Sequence, residues 1–192
     1  MEMGLLSRLR SAFSRDEGPS DEREGKGLIV FESARDAMKA ERTLKEAGYD
    51  VRAVAPPPEI REGCDLAIEY DLVDEVGVRR TLEEIGVEPL KFVSLEDPSL
   101  KPIELVRVKE VDGYIMVRCG NMKVTVDRDG TIVNVSGGGC PDVPYLAHEL
   151  VGKNVLELSE NSMPASLGYT LCAYTLDKAV RKAKEVLLGE GS

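Results

Sequence analysis

The apolar segments in the first half of the chain follow one order: strand, helix, strand, strand, helix, strand. The first, Leu28 to Phe31, is a short apolar run typical of a buried strand. Ser33, with Asp36 three residues later, is a helix N-cap signature, and Gly48 predicts the end of that helix. Few folds accommodate this order in so short a segment.

The other four predicted elements are a strand over Val51 to Val54, a strand over Leu66 to Tyr70, a helix over about Val73 to Ile85 and a strand over Leu90 to Leu95. Three prolines, Pro56 to Pro58, follow the first of these strands and stop it, because proline cannot donate to a sheet ladder. The resulting order, βαββαβ, is that of the split-βαβ, ferredoxin-like arrangement. We therefore expect a ferredoxin-like module over residues 27–97.

A proline-containing break, Pro98 to Pro102, predicts the boundary to a second domain over residues 102–190. Its four predicted strands are Ile103 to Val108, Tyr114 to Cys119, Met122 to Val126 and Thr131 to Val135. Short polar turns separate them, which favours an antiparallel meander. The elements predicted after the meander are a helix over Val143 to Leu150, a short strand over Val155 to Leu158 and a long helix from about Ala165 to Leu188. The predicted class is α+β, a ferredoxin-like module followed by a β-meander domain with two helices.

The first 26 residues are predicted to form an N-terminal amphipathic helix and a flexible linker. Leu5, Leu6, Leu9 and Phe13 have helical spacing, whereas Asp16 to Lys26 is polar and charged and cannot bury enough apolar surface to order itself. The helix could contact a partner or a membrane surface. The alternative, a frayed or loosely docked helix, is favoured.

Composition excludes several classes of protein. A formal net charge of −10 repels phosphate backbones, so no nucleic acid is expected as a partner. No apolar run approaches the roughly 20 residues that span a bilayer, so the protein is predicted to be soluble and not transmembrane. The chain has 4 cysteines without a Cys-x-x-Cys pair. This pattern does not resemble a secreted disulfide framework, and we expect a cytoplasmic location.

Cys140 is the first candidate catalytic residue. The predicted strand ending at Val135 is followed by Gly137, Gly138, Gly139, Cys140, Pro141 and Asp142, and then by a predicted helix. Pro141 suits the first helical position, so Cys140 is expected at or beside the helix N-cap. Unpaired N–H groups and the helix dipole favour a thiolate there. Gly137, Gly138, Gly139 and Asp142 are the ligand-binding candidates at this turn.

Cys64 is the second candidate and lies in a turn after three prolines. Asp65 beside it opposes thiolate formation, and Arg61, a further ligand-binding candidate, could offset that charge. An apolar strand follows, so the alternative that Cys64 simply points into the core stays open.

Residues 27–97 resemble the family of selenium/sulfur carrier-like domains. The residues that carry the resemblance are Ala37-Met38-Lys39-Ala40-Glu41-Arg42 in the first helix and Pro57, Glu59, Ile60, Gly63 and Cys64 in the turn. The chain departs from the family pattern at Pro58, in place of an arginine, and at Asp65, in place of a glycine. The resemblance implies that Cys64 would carry a persulfide or selenide.

The remaining thiols and the single histidine are given structural roles. Cys172 has helical spacing with apolar residues, and Cys119 ends a strand, so core packing is favoured for both. His148 is eight residues beyond Cys140, about 12 Å along one helix, too far for a Cys–His dyad. It is expected at the surface or an interface. No metal site and no cofactor are predicted.

These features predict a sulfur, or selenium, carrier or relay protein that uses cysteine persulfide chemistry. A carrier or accessory protein is favoured over a stand-alone enzyme, with a protein sulfur donor and an acceptor enzyme as partners. Two alternatives stay open. The glycine turn could bind a small anion through the Gly138 and Gly139 amides, or the protein could be an assembly partner of a larger enzyme.

Overall fold

The structure is a computed structural model that describes residues 25–97 and 100–189. The predicted N-terminal helix and most of the predicted linker lie outside these residues. The described residues form two four-stranded antiparallel sheets and five α-helices. The predicted α+β class is therefore confirmed. We refer to residues 25–97 as the first half and to residues 100–189 as the second half.

The first half contains one sheet and two α-helices. Its strands are β1 (Lys26–Val30), β2 (Arg52–Val54), β3 (Ala67–Asp71) and β4 (Lys91–Ser94), and its helices are α1 (Ala34–Glu46) and α2 (Glu75–Glu84). The strands lie in the order β2-β3-β1-β4, with every neighbouring pair antiparallel. Lys26, which the sequence analysis assigned to the linker, is the first residue of β1. Helix α1 begins as predicted, since the Asp36 N–H donates to the Ser33 hydroxyl at 3.1 Å.

The two helices pack on one face of this sheet. Ala40 and Leu44 of α1 and Leu82 of α2 join Ile29 and Ile68 of the central strands in one buried cluster. Burying a side chain of this size stabilises the fold by about 1.5–3 kcal/mol. The loop between β2 and β3 carries Cys64, whose side chain packs against this cluster.

The second half is a four-stranded meander packed against helices. Its strands are β5 (Val106–Val111), β6 (Tyr114–Cys119), β7 (Met122–Val126) and β8 (Ile132–Gly137), and its helices are α3 (Val143–Leu150), α4 (Pro164–Leu167) and α5 (Leu171–Leu188). The strands pair in chain order, as predicted. Alternate residues of β6 and β7 are buried, which turns one face of the sheet toward α5.

Two predictions for the second half are wrong. Val155 to Leu158 does not form a strand; Val155 is buried in a turn, and its N–H donates to the Gly130 carbonyl at 2.9 Å. The long helix predicted from Ala165 is interrupted, so the second half has three α-helices instead of two. The helix breaks where Gly168 ends α4 in an extended conformation and the Thr170 side chain, as N-cap, begins α5.

A buried carboxylate joins the two halves. Glu41 of α1 is 4% exposed and accepts a hydrogen bond from Lys178 Nζ of α5 at 2.8 Å. The Tyr174 hydroxyl of α5 donates to the same carboxylate. The Ala53 N–H of β2 donates to it at 3.2 Å. Helix α5, which also carries Cys172, is therefore anchored on both halves of the protein.

Candidate functional site

The turn from β8 to α3 presses two glycines against the connection between β6 and β7. Gly137 has φ 92° and Gly138 has φ 71°, both in the left-handed region that favours glycine. A Cβ on Gly137 would overlap the Asn121 carbonyl oxygen. A Cβ on Gly138 would lie 2.5 Å from Met122 Sδ and 2.8 Å from Cys172 Sγ. Close packing thus accounts for both glycines.

The amides of this turn serve the protein itself. The Gly138 N–H donates to the Asn121 carbonyl at 3.0 Å. This amide, which the sequence predicted to be open to a ligand, is therefore already hydrogen-bonded. The N–H groups of Gly139 and Cys140 are directed to the sulfur of Cys172. Gly139 is exposed, and a Cβ there would meet nothing within 4 Å. Two amides of the turn, those of Gly139 and Cys140, therefore converge on a sulfur atom.

Cys140 is half-buried and lies two residues before Asp142, the N-cap of α3. Its sulfur faces the first turn of α5, where it meets the Thr170 hydroxyl and the backbone N–H of Cys172. Thr170 is the N-cap of α5. The sequence analysis expected α3 to supply the helix end that favours the thiolate. In the structure α5 supplies it.

The pKa of Cys140 lies below the ordinary value for a cysteine. The largest cause is hydrogen bonding from the Cys172 thiol, and the Thr170 hydroxyl and the Cys172 N–H act in the same direction. Burial and the charge of Asp142 oppose them and are outweighed. Cys140 is therefore a thiol whose environment favours the nucleophilic thiolate.

Cys172 is the neighbour of Cys140 that the sequence analysis assigned to core packing. It is 7% exposed and occupies the first turn of α5. Burial raises the pKa of Cys172, and the hydrogen bond to Cys140 raises it further. The pair therefore loses its first proton readily and its second with difficulty. A sequence signal existed, because Thr170 after Gly168 is an N-cap pattern that places Cys172 at a helix start.

Cys64 is also half-buried, but its surroundings favour the thiol. Its thiol donates to the Leu66 carbonyl at 3.0 Å, and burial raises its pKa. The charge of Asp65 raises the pKa further, as expected. Arg61 lies 3.4 Å from Asp65, with which it forms an ion pair. The offsetting charge expected from Arg61 is thus directed to a neighbouring carboxylate.

The structure places the two candidate cysteines in different cores. Cys64 packs against the buried cluster of the first half, and Cys140 against that of the second. A cavity of about 440 Å³ nevertheless reaches the surroundings of both. Residues lining it include Arg61, Asp65 and Leu66 from the first half and Gly120, Asn121 and Cys172 from the second. The cavity therefore joins the Cys64 loop to the first turn of α5.

The other residues considered from the sequence stand apart from this pair. Cys119 is fully buried, and burial raises its pKa to about 11. His148 is exposed on α3. Among residues 25–97 and 100–189, no group of three or more His, Cys, Asp or Glu side chains could hold a metal ion. Within the same ranges, every helix is too short or too polar to cross a bilayer.

Comparison with known proteins agrees with the predicted resemblance of the first half. Residues 26–94 match the family described as "Putative Se/S carrier protein-like", which confirms it. Residues 105–191 match a domain of unknown function, DUF8182. The chain is 58% identical over 179 residues to an uncharacterised protein of Methanocaldococcus jannaschii, an alignment that covers 91% of this chain and 90% of that protein. No solved structure matches the chain.

Proposed function

Because the chain belongs to the family of the Methanocaldococcus jannaschii protein and its first half is Se/S carrier-like, we propose that it carries sulfur, or selenium, on a cysteine. The carried form is a persulfide, or its selenium counterpart. A protein persulfide supplies the sulfur and an acceptor enzyme receives it. A reducing compartment, for which we propose the cytoplasm, keeps the thiols free.

The single observation that supports this chemistry most is the environment of the Cys140 sulfur at the first turn of α5. In the proposed step the Cys140 thiolate attacks the terminal sulfur of the donor persulfide. The S–S bond of the donor breaks, the donor leaves as a thiolate, and Cys140 becomes a persulfide. A lowered pKa increases the fraction of Cys140 that is ready to attack at neutral pH.

We propose Asp142 as a positioning residue for this site. Both of its carboxylate oxygens lie 2.8 Å from the Thr170 hydroxyl. This contact ties the turn that carries Cys140 to the start of α5. Gly137 and Gly138 allow the close packing of this turn, in keeping with a supporting role and not with an anion cradle, whereas Gly139 has open space around it.

Cys64 is proposed as a second carrier site. The family match includes it, although burial and the charge of Asp65 raise its pKa. Arg61 and Asp65 line the cavity that also reaches Cys172, and a route for sulfur between the two cysteines would pass through it. We retain a ferredoxin-like description of the first half as part of the proposal; the antiparallel order β2-β3-β1-β4 supports it.

The test is to incubate the protein with a cysteine desulfurase and cysteine, and to map added sulfur on each cysteine by mass spectrometry. With persulfides trapped by alkylation during loading, before any later release, we expect one sulfur atom on Cys140, none on Cys119, and loss of the Cys140 signal in Cys140→Ser. Cys119→Ala, which removes a thiol from the same core, is the control and should load normally. Loading on neither Cys140 nor Cys64 would contradict the proposal. An anion-binding protein would instead tolerate Cys140→Ser without loss of function.

A further inference from the structure

Two free thiols from separate elements meet at the turn between β8 and α3. Cys140 comes from the turn itself and Cys172 from the first turn of α5; both thiols are free, Cys140 packs on the buried cluster that contains Cys172, and the two thiols are hydrogen-bonded to each other. Gly138 lies beside this pair, since a Cβ there would lie 2.5 Å from Met122 Sδ and 2.8 Å from Cys172 Sγ. The backbone is thus shaped to admit the Cys172 sulfur beside Cys140.

A second set of contacts, between oxygen and nitrogen atoms, holds the two segments together. The Thr170 hydroxyl donates to Asp142 at 2.8 Å and, as N-cap, accepts from the Ala173 N–H at 3.2 Å. Asp142 and Thr170 each lie two residues from one of the cysteines. Thiol–disulfide exchange needs the attacking and attacked sulfurs to be adjacent, and these bonds fix both backbones at that position.

We propose that Cys172 is the resolving thiol of Cys140, so that sulfur carried on Cys140 is released as hydrosulfide. This inference rests on the proposed function, because it starts from the Cys140 persulfide. The Cys172 sulfur attacks the Cys140 sulfur, and a Cys140–Cys172 disulfide forms. The bond from Cys140 to the terminal sulfur breaks, and that sulfur leaves as hydrosulfide with the bonding electrons.

Electrons and protons balance within this step. The terminal sulfur is reduced from the sulfane to the sulfide level, and the two cysteine sulfurs are oxidised to a disulfide. The proton of the Cys172 thiol passes to solvent or to the departing sulfide. A dithiol reductant must then reduce the disulfide before Cys140 can load again. The acceptor enzyme would therefore be one that uses free sulfide as its substrate and not a persulfide.

The first arm of the test probes the two thiols without any sulfur donor. The reduced full-length protein is treated with a limiting amount of dithiobis(nitrobenzoate), an aromatic disulfide that forms a mixed disulfide with a reactive thiolate. We expect the wild type to release two nitrothiobenzoate anions per reagent molecule and to form a disulfide between the Cys140 and Cys172 peptides. Cys172→Ser and Cys172→Ala should release one anion and retain the mixed disulfide on Cys140. Cys119→Ala should match the wild type.

In the second arm a cysteine desulfurase that carries a persulfide and has been freed of cysteine is mixed with wild type or Cys172→Ser, and hydrosulfide is measured from the time of mixing. We expect one hydrosulfide per loaded Cys140 in the wild type. Release should be at least about a hundredfold slower in Cys172→Ser, which has lost an adjacent intramolecular nucleophile.

The two arms separate the two proposals. A mixed disulfide on Cys140 that persists in the wild type as it does in Cys172→Ser overturns the resolving role, whatever the donor does. A Cys140–Cys172 disulfide in the first arm, with neither loaded sulfur on Cys140 of Cys172→Ser nor hydrosulfide from wild type in the second, supports the resolving role and counts against sulfur carriage. A loaded Cys140 that keeps its persulfide equally well in wild type and Cys172→Ser also overturns the inference.

Discussion

Replacing Gly138 by alanine tests whether the turn is built around the Cys172 sulfur. Gly138 combines a φ of 71° with two neighbouring sulfurs, Met122 Sδ at 2.5 Å and Cys172 Sγ at 2.8 Å from any added Cβ. The left-handed conformation costs a non-glycine residue about 1–2 kcal/mol. Overpacking a filled site costs about 1–3 kcal/mol. We therefore expect Gly138→Ala to lower the free energy of unfolding by about 2–5 kcal/mol.

Two other glycines provide matched controls for the separate contributions. Gly152 has φ 87° but open space around an added Cβ, so Gly152→Ala should lose only about 1–2 kcal/mol. Gly139 has neither a left-handed φ nor a contact within 4 Å. Gly139→Ala should stay within about 0.5 kcal/mol of the wild type.

The assay is urea unfolding at equilibrium, with alkylation of Cys140 followed in parallel under native conditions. Gly138→Ala should also change the alkylation rate of Cys140, since it displaces the Cys172 thiol, whereas Gly152→Ala should not. If Gly138→Ala and Gly152→Ala lose equal stability, and Cys140 is alkylated at the same rate in both, the Cys172 sulfur does not lie against the turn and the reasoning fails.

Three further predictions concern charges and thiols outside this turn. Glu41→Ala should cost about 3–5 kcal/mol in thermal or urea unfolding, because the Tyr174 hydroxyl, the Ala53 N–H and the half-buried Lys178 would lose the buried carboxylate that they share. Glu84→Ala, which removes an exposed pair with Arg80, should cost under about 1 kcal/mol. Equal losses would contradict the bonded link between the halves. Burial raises the pKa of Glu41, but Lys178 and the Tyr174 hydroxyl outweigh it and hold the pKa below its usual range. The folded state then binds a proton at Glu41 less readily than the unfolded state does. The stability advantage of wild type over Glu41→Gln should therefore be full at neutral pH and shrink below about pH 4. An advantage that grows as the pH falls would contradict this prediction. Cys119, with a pKa of about 11, should resist alkylation in the folded protein at pH values where Cys140 reacts, and become accessible on unfolding.

Much of the local structure was predictable because its signals lie within a few residues. The bounds of β6, β7 and α3 match the predicted ones, since each is set by alternating or helical apolar spacing between turn residues. The start of α1 followed from the Ser33 cap. The apolar residues from Val155 to Leu158 suggested a strand. The hydrogen bond from the Val155 N–H to the Gly130 carbonyl belongs to a turn, so no strand forms there.

The site was less predictable because it depends on contacts between distant segments. Cys140 was identified from its own turn, yet the helix end that favours its thiolate belongs to α5, which begins 31 residues later at Leu171. Apolar spacing through Ala179 and Ala183 made Cys172 resemble a mid-helix core residue. The break at Gly168 and the Thr170 cap move it to the helix start, where its sulfur meets Cys140.

The most direct test of the account is the pH dependence of alkylation at each cysteine of the folded protein, resolved by mass spectrometry. We predict that Cys140 reacts first and titrates below the ordinary pKa of a cysteine, and that Cys64 titrates above it. Cys172→Ala should raise the pKa of Cys140. The account would be contradicted by a Cys140 that titrates at or above the ordinary value, or that is indifferent to the loss of Cys172.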